Sequence, residues 1–415
     1  MSDQKWRTVG RRGLLRVGLA LPLTAPALIS ARGETPVKIG IIDPLTGGLS
    51  ALAVTEVEGA KYAVAQVNAK GGILGRQVEL LVEDSANDVG TGVQKARKLI
   101  ERDKVDVILG DVNSAISLAI AQVTSELKVF HIVLGGHTDA ITGPGCTWNV
   151  FRVCNTTTMD TAAITETLVK KFGKKFFFIT PDYAYGHSLQ DGFVKRLKAL
   201  GGSYDGNMLP IEATDFSATL IKARAYKPDV LLNNMGGAAQ IACMKQIVQF
   251  GMQKQAALGG ALFELESAQS VPPEAQSGWW VMEWWWDRPE LPGVKEFVAG
   301  IQKATGKTAT ARHWMGHVGI HSVRLAAEKA KSLAGPAMAK AMEGMVLPPE
   351  IALQPGKVYY RAGDHQLMSP ILTGEMHPPP AGKSKADIFT VHQVVDGEKA
   401  AGTVAETGCK MVHPA

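Results

Sequence analysis

Three aspartates, a row of histidines and four cysteines are the residues of this 415-residue chain best placed to do chemistry. Asp43, Asp84 and Asp111 each close or follow a short apolar run, the position at which α/β enzymes carry catalytic carboxylates. The same residues are equally at home there as loop and helix caps, so they do not define a reaction. His313, His317 and His321 recur at every fourth position, which puts the imidazoles on one helix face and would suit a zinc ion. No glutamate joins them in an HExxH pattern and no cysteine lies near, so solvated or interface histidines are expected and no metal. Cys146, Cys154, Cys243 and Cys409 are too scattered for a zinc site, which wants close pairs. In an oxidising compartment they would form one or two disulfides. Three full pairings are open, and Cys146 with Cys409 is favoured because it would tie the C-terminal tail to the body. Trp279, Trp280, Trp284, Trp285 and Trp286 crowd into eight residues. On a strand their faces alternate, so packing is expected ahead of a stacking platform for an aromatic ligand. No GxGxxG follows the first apolar run, and Walker loops and GxSxG elbows are absent. An α/β enzyme is therefore the weaker reading, and no cofactor is expected.

Positioning any such residues takes regular elements. From residue 37 short apolar runs alternate with longer amphipathic ones, the pattern of βαβ units on a parallel sheet. Strands are predicted at 37–42, 78–84, 105–109 and 129–134, with helices at 55–70, 91–103 and 115–127. These strands are apolar on both faces, as burial under two helix layers requires. After Phe151-Arg152 the rhythm restarts, with helices at 160–172, 188–200, 216–226 and 238–250 and strands at 176–180, 229–233 and 255–258. Two doubly wound α/β lobes, each on a parallel sheet, explain the restart better than one very wide sheet. An aromatic strand at 279–286 leads to helices at 292–305, 312–331 and 336–345 that return to the first lobe, giving a multi-stranded hinge. The last seventy residues read as extended segments. Residues 36–154 plus about 286–365 make lobe I, and 155–285 plus about 366–415 make lobe II and the C-terminal tail.

Composition is that of a globular protein, 46% hydrophobic and 20% charged. The formal net charge of +5 is confined to residues 1–33, where Lys5, Arg7, Arg11, Arg12, Arg16 and Arg32 oppose Asp3 alone. The remainder sums to zero, which leaves no basic face for nucleic acid or anionic lipid. The same segment is laid out as a cleaved export signal: Arg11-Arg12-Gly13-Leu14-Leu15-Arg16, then an apolar run over 17–29. The paired arginines resemble a twin-arginine signal. Pro22 and Pro26 break the run, which is too short to span a bilayer core of about 30 Å. Cutting is expected at Ala25-Pro26-Ala27 or near Ala31, with no cysteine to carry a lipid, so the mature protein should be free in the periplasm.

Further stretches carry a family likeness. Val37-Lys38-Ile39-Gly40 runs into Pro44-Leu45-Thr46-Gly47; Gly59-Ala60 is followed by Ala65-Gln66-Val67-Asn68 and Gly71-Gly72-Ile73-Leu74-Gly75-Arg76. Gly110 with Ser114, Tyr185-Gly186, and Asp215-Phe216-Ser217 come in the same order. Over about nine-tenths of the chain this resembles the periplasmic solute-binding proteins of ABC importers, of the leucine/isoleucine/valine-binding (branched-chain amino acid) type. The resemblance implies a type I periplasmic binding protein fold and a non-enzymatic monomer. Such a protein would capture a small amphipathic solute in an interlobe cleft and hand it to ABC permease and ATPase subunits. A ligand-sensing module for a receptor is the other reading of the same fold. The ending Gly408-Cys409-Lys410 resembles a subgroup that includes binders of aromatic acids.

In open parallel sheets ligands lie beyond the carboxyl ends of the strands. That nominates loops 44–52, 111–114 and 135–139 from the first lobe and 181–187, 233–237 and 260–264 from the second. The ligand-binding candidates are Leu49, Ser50, Asn113, Ser114, Gly136, His137, Thr138, Tyr185, Met235, Gly236 and Glu264. By resemblance, Ser114 stands where the family binds a carboxylate, Gly136 would donate its backbone N–H, His137 replaces a threonine, and Tyr185 covers the ligand. The family's ammonium-binding glutamate becomes Ala261, with Glu264 and Glu266 as displaced candidates, and a second-lobe tyrosine becomes Gly236. An unpaired ammonium in a closed cleft is costly, so a bulkier carboxylate, aromatic in particular, is expected over an ordinary α-amino acid.

Overall fold

The computed structural model describes residues 35–413, so the export signal expected at 1–33 lies outside the described residues. The first lobe opens with β1 (Val37–Asp43), α1 (Ser50–Ala69), β2 (Val78–Asp84), α2 (Val89–Arg97), β3 (Val107–Gly110), α3 (Ser114–Glu126), β4 (Phe130–Val133) and β5 (Val150–Arg152). Its sheet is wholly parallel, in the order β2-β1-β3-β4-β5. The second lobe holds α4 (Thr157–Phe172), β6 (Lys175–Pro181), α5 (Ala184–Ala199), β7 (Ser203–Leu209), α6 (Ser217–Tyr226), β8 (Val230–Asn233), α7 (Gly237–Gln249), β9 (Ala257–Leu262), α8 (Leu265–Ala268) and β10 (Gly278–Met282). The chain then forms α9 (Val294–Thr305), α10 (Ala311–Ala330), α11 (Gly335–Met342), α12 (Pro349–Ala352) and the short pair β11 (Tyr359–Tyr360) and β12 (Leu367–Met368). It ends with β13 (Ile371–Met376), β14 (Phe389–Val395), α13 (Gly397–Ala401) and α14 (Val404–Thr407).

The second sheet runs β14-β13-β10-β9-β8-β6-β7. Five of its strands form the expected parallel sheet, and β13 and β14 extend it antiparallel at one edge. Each sheet is buried between helices. Ile39, Ile41 and Leu109 pack in one core with Trp314, Met315 and Val318 of α10, so the late helices do return to the first lobe. Phe177, Leu231 and Met244 centre one core of the second lobe, and Phe176, Phe178 and Leu189 the other.

Helices α1 and α10 cross backbone to backbone. A Cβ on Gly59 would fall 2.1 Å from the His313 carbonyl oxygen, and one on Gly316 the same distance from that of Glu56. Only hydrogen fits at these two positions. That contact brings Glu56 of α1 beside Arg312 of α10.

Several expectations need correction. β5 and β7 were not foreseen; β7 is a polar edge strand with no apolar run to announce it. α1 begins five residues before the predicted start, because Leu49, Leu52 and Ala53 are buried with Val112. The aromatic strand stops at Met282, short of Trp286. His313, His317 and His321 are buried on α10 and not solvated. His313 caps its own helix with Thr310, and the His317 and His321 rings lie 4.4 Å apart. Among the described residues no group of three or more ligating side chains could hold a metal. Four of the five crowded tryptophans are buried, and Trp280, Trp284 and Trp286 give their indole N–H to the carbonyls of Ser277, Leu353 and Ala386. Cys146 and Cys409 form a disulfide across 263 residues, while Cys154 and Cys243 are free and buried.

Candidate functional site

The carboxyl ends of the two sheets face one another across a small cavity of about 390 Å³, mouth included. Leu49, Leu52, Val112, Ser114, His137 and Arg312 line it from the first lobe. Tyr183, Tyr185, Met235, Gly236, Gln240, Leu262 and Glu264 line it from the second. Helix starts dominate this wall. Leu49, Tyr183, Gly236 and Glu264 are the N-caps of α1, α5, α7 and α8, and Ser114 opens α3. None of those four N-caps makes a side-chain cap hydrogen bond, whereas α2, α4 and α10 are capped by Asp88, Thr156 and Thr310. N-termini without a side-chain cap leave backbone N–H groups and positive dipole ends at the cavity, a setting for anionic oxygen, although at α7 the Ala238 N–H is taken by Gly48 O.

The charged groups form two pairings. Arg312 donates through Nε to Glu264 and through Nη1 to Glu56 (3.2 Å), so it ties α1 and α10 to the second lobe. Its Nη2 has no partner among the described residues. Burial works against the Arg312 charge, but Glu264 and Glu56 outweigh it and raise its pKa. Burial pushes Glu56 up to about 7 and raises Glu264, with Arg312 pulling both back. Gly135 makes room for this triad: a Cβ there would lie 2.1 Å from Arg312 Nη1. In the second pairing His137 Nε2 meets Glu283 Oε2 at 3.0 Å, and the backbone N–H of Asn155 donates to the other oxygen. Burial opposes both charges, but each partner stabilises the other, so His137 is raised and Glu283 lowered.

The neutral groups are donors. Ser114 Oγ accepts the Thr138 N–H at 3.2 Å, which leaves its own hydrogen for another acceptor. Burial raises the pKa of Tyr183 and Tyr185, so both stay protonated, and neither hydroxyl has a partner among the described residues.

Seven of the eleven candidates line the cavity: Leu49, Ser114, His137, Tyr185, Met235, Gly236 and Glu264. Ser50, Asn113, Gly136 and Thr138 do not. Asn113 spends its side chain capping α3 and bonding Asn87, and the Gly136 and Thr138 carbonyls accept from Arg152. Ala261 is buried in the second-lobe core, and Glu266 accepts from Thr55 across the cleft. Tyr185 sits in the first turn of α5, not in a loop. The three aspartates brace loops: Asp43 accepts from Val112 N, Asp84 from Leu45 N and Ala86 N, and Asp111 from Asn113 N.

Leu52, Val112, Tyr183 and Leu262 fall in the nominated loops without having been singled out; the missed residues are Gln240 and, above all, Arg312. Its signal was available: an arginine in the first turn of a helix opposes the helix dipole and needs a reason to be there. The lobes are shut, with Ala238 N donating to Gly48 O (2.8 Å), Thr55 Oγ1 to Glu266 (2.7 Å) and Asn87 Nδ2 to Glu212 (3.0 Å).

The family model described as periplasmic binding protein matches residues 36–382. A Leu/Ile/Val-binding protein homolog 7 of Brucella suis is 28% identical over 354 residues, covering 79% of this chain and 86% of its own. A crystal structure of a periplasmic binding protein from Burkholderia mallei superposes with a TM-score of 0.84 at 25% identity, covering 90% of this chain and 98% of that one. An ABC-transporter solute-binding protein of Rhodopseudomonas palustris, solved with 3,4-dihydroxybenzoic acid, shares the fold at TM-score 0.78 and 24% identity over 87% of this chain and 98% of its own. Members of this family work outside the cytoplasmic membrane beside ABC permease and ATPase components. The chain belongs to the periplasmic binding protein family, with the fold and non-catalytic role of an ABC-importer solute-binding component.

Proposed function

We propose that this chain captures a small carboxylate without an α-ammonium group, an aromatic acid by preference, between its lobes and delivers it to an importer's permease and ATPase. One observation carries the reading: the carboxylates at and beside the cavity are charge-paired, whereas the hydroxyls there are not bonded as donors. Glu56 and Glu264 are engaged by Arg312, and Glu283 by His137. Ser114, Tyr183, Tyr185, Arg312 Nη2 and the open helix starts remain. A carboxylate satisfies these donors, whereas an amino acid's ammonium meets carboxylates whose charge Arg312 and His137 already offset, and forfeits its hydration. Leu49, Leu52, Val112, Met235 and Leu262 supply apolar walls for a ring, and Gly236 leaves space that a tyrosine would fill. The Rhodopseudomonas palustris protein, with its dihydroxybenzoate, supports an aromatic acid as a ligand compatible with this fold.

In this reading residues 36–154 with about 286–365 and residues 155–285 with about 366–415 are the two moving bodies. Residues 1–33 serve as a twin-arginine-type export signal, and the mature monomer works in the periplasm. The test is a thermal-shift screen of benzoate, 4-hydroxybenzoate, 3,4-dihydroxybenzoate, leucine, valine and urea. An aromatic acid at a hundred times its Kd should stabilise the protein by about 2.7 kcal/mol, a shift of several degrees. A larger shift with leucine or valine than with any aromatic acid would overturn the proposal.

A further inference from the structure

We infer that the protein carries a second ligand site, separate from the cleft, that takes a compact dianion of the dicarboxylate or phosphoryl kind. The site is an open cavity of about 900 Å³, mouth included, and no residue lines both it and the cleft cavity. Its walls are the turn at Asp139–Ile141, the N-terminal part of α4, the face of α5 that bears Lys195 and Arg196, the turn between β11 and β12, and the C-terminal helices α13 and α14. The Cys146–Cys409 disulfide fastens the last of these walls to the body.

The charge pattern inside selects the ligand. Four cations, Lys195, Arg196, Arg361 and Lys399, face three carboxylates, Asp139, Asp364 and Glu406. The carboxylates are already engaged: Asp139 accepts from the N–H and hydroxyl of Thr158 (2.9 and 2.7 Å), and Asp364 holds Arg361. Glu406 accepts from the N–H and hydroxyl of Thr403 (2.7 and 2.8 Å). The other three cations have no such partner. Half-buried Arg196 donates only to neutral oxygens, Thr161 Oγ1 at 3.4 Å and Thr158 O at 3.1 Å. Among the described residues neither the Lys195 nor the Lys399 ammonium is in an ion pair or a hydrogen bond; Lys399 bonds only through its backbone N–H, to Asp396. Thr156 adds a donor, since its Oγ1 accepts the Met159 N–H at 2.9 Å and keeps its own hydrogen. Unpaired cations arrive from two walls, α5 and α13, so a ligand with negative charge at both ends answers both, where a monoanion answers one. Burial of the Arg196 guanidinium is unfavourable and Asp139 offsets it only in part, which is the physical pull toward an anion here.

Isothermal titration of the purified protein with succinate and, separately, with inorganic phosphate tests this at constant ionic strength set by KCl. The expected result is one saturable site for at least one of the two probes, and the arm that binds identifies the chemistry. Binding should weaken at least tenfold in the Lys195→Ala/Lys399→Ala variant and stay unchanged in Ser114→Ala. Both lysines are exposed, so the double variant should fold normally. Absence of saturable binding by either probe would overturn the inference. So would loss in Ser114→Ala with retention in the double-lysine variant, which would put the anion in the cleft.

Discussion

Replacing Arg312 by methionine removes the cation that joins carboxylates of the two lobes, and its cost should depend on pH. Glu56 is wholly buried and Glu264 nearly so. Breaking a buried pair by deleting one partner costs about 3–5 kcal/mol, because the remaining charge is stranded. The stranded carboxylates have one escape, which is to take up protons. Glu56 already sits near 7 because of its burial, against an ordinary value of 4.5, and losing Arg312 can only push it higher. A carboxylate whose folded pKa is raised binds more protons folded than unfolded. Its contribution is therefore least unfavourable below the ordinary value and worsens as pH rises toward the folded pKa. Protonation costs about 1.4 kcal/mol per pH unit above the ordinary value, so the penalty should be about 3–5 kcal/mol at pH 8 and about 1 kcal/mol at pH 5. Urea unfolding of wild type and Arg312→Met at the two pH values measures this directly. Adding Glu56→Gln should recover a large part of the loss at pH 8 and little at pH 5. A penalty equal at both pH values, or a double variant no more stable than the single one, would refute the assignment of the triad as a buried charge network.

Ser114→Ala and Tyr185→Phe should each weaken ligand binding about tenfold, the worth of one buried hydrogen bond, as read by isothermal titration. Unchanged affinity in both would move the ligand elsewhere. His317 is buried with neither ring nitrogen partnered, and burial holds its pKa well below the ordinary value, as it holds His321 at about 3. Its stability contribution is thus whole above about 6.5 and falls as pH drops, so His317→Phe should flatten the acid limb by about 1.4 kcal/mol per pH unit between pH 6.5 and 5, measured by urea midpoints. Gly237 has φ +52°, and a Cβ there would lie 2.2 Å from Gly48 O across the cleft. Gly237→Ala should therefore cost affinity at least tenfold, with a larger radius of gyration by small-angle scattering in the presence of ligand; an equally compact liganded state would contradict this.

The lobes were legible in the sequence because buried parallel strands write themselves as apolar runs: Phe176-Phe177-Phe178 and Val37–Asp43 leave little choice. β7 and the antiparallel edge were not, since a strand with one face and one edge in water has no such signature. Positions at the carboxyl ends of strands could be nominated from topology alone, which found Ser114, His137, Met235 and Gly236. Ser50, Asn113, Gly136 and Thr138 belong to the same loops, but the direction of a side chain or the use of an amide is a tertiary fact. Arg312 comes from a helix nearly fifty residues beyond Glu264, and its place depends on the glycine contact between α1 and α10, which no local pattern encodes. The histidine row shows the same limit: period four placed the three rings on one face, but not which way that face turned.

In the proposed reading, how an anion would close this molecule follows from where its partners sit. A ligand shifts an open–closed equilibrium only by its difference in affinity for the two states. Ser114 and the start of α3 belong to the first lobe; Tyr183, Tyr185 and the starts of α5 and α7 belong to the second. An anion docked on the first lobe gains the second set only on closure, so those contacts are the whole of its leverage. The lobes also touch without it, through Gly48 with Ala238, Thr55 with Glu266 and Arg312 with Glu264. A buried ion pair returns little net energy once its desolvation is counted, so Arg312–Glu264 fixes the register of closure more than it drives it. In the proposed reading it also offsets, at the cavity, the charge of the carboxylate that an ammonium would seek. In that reading the pair that aligns the lobes is also the one that sets the sign of the charge they close upon.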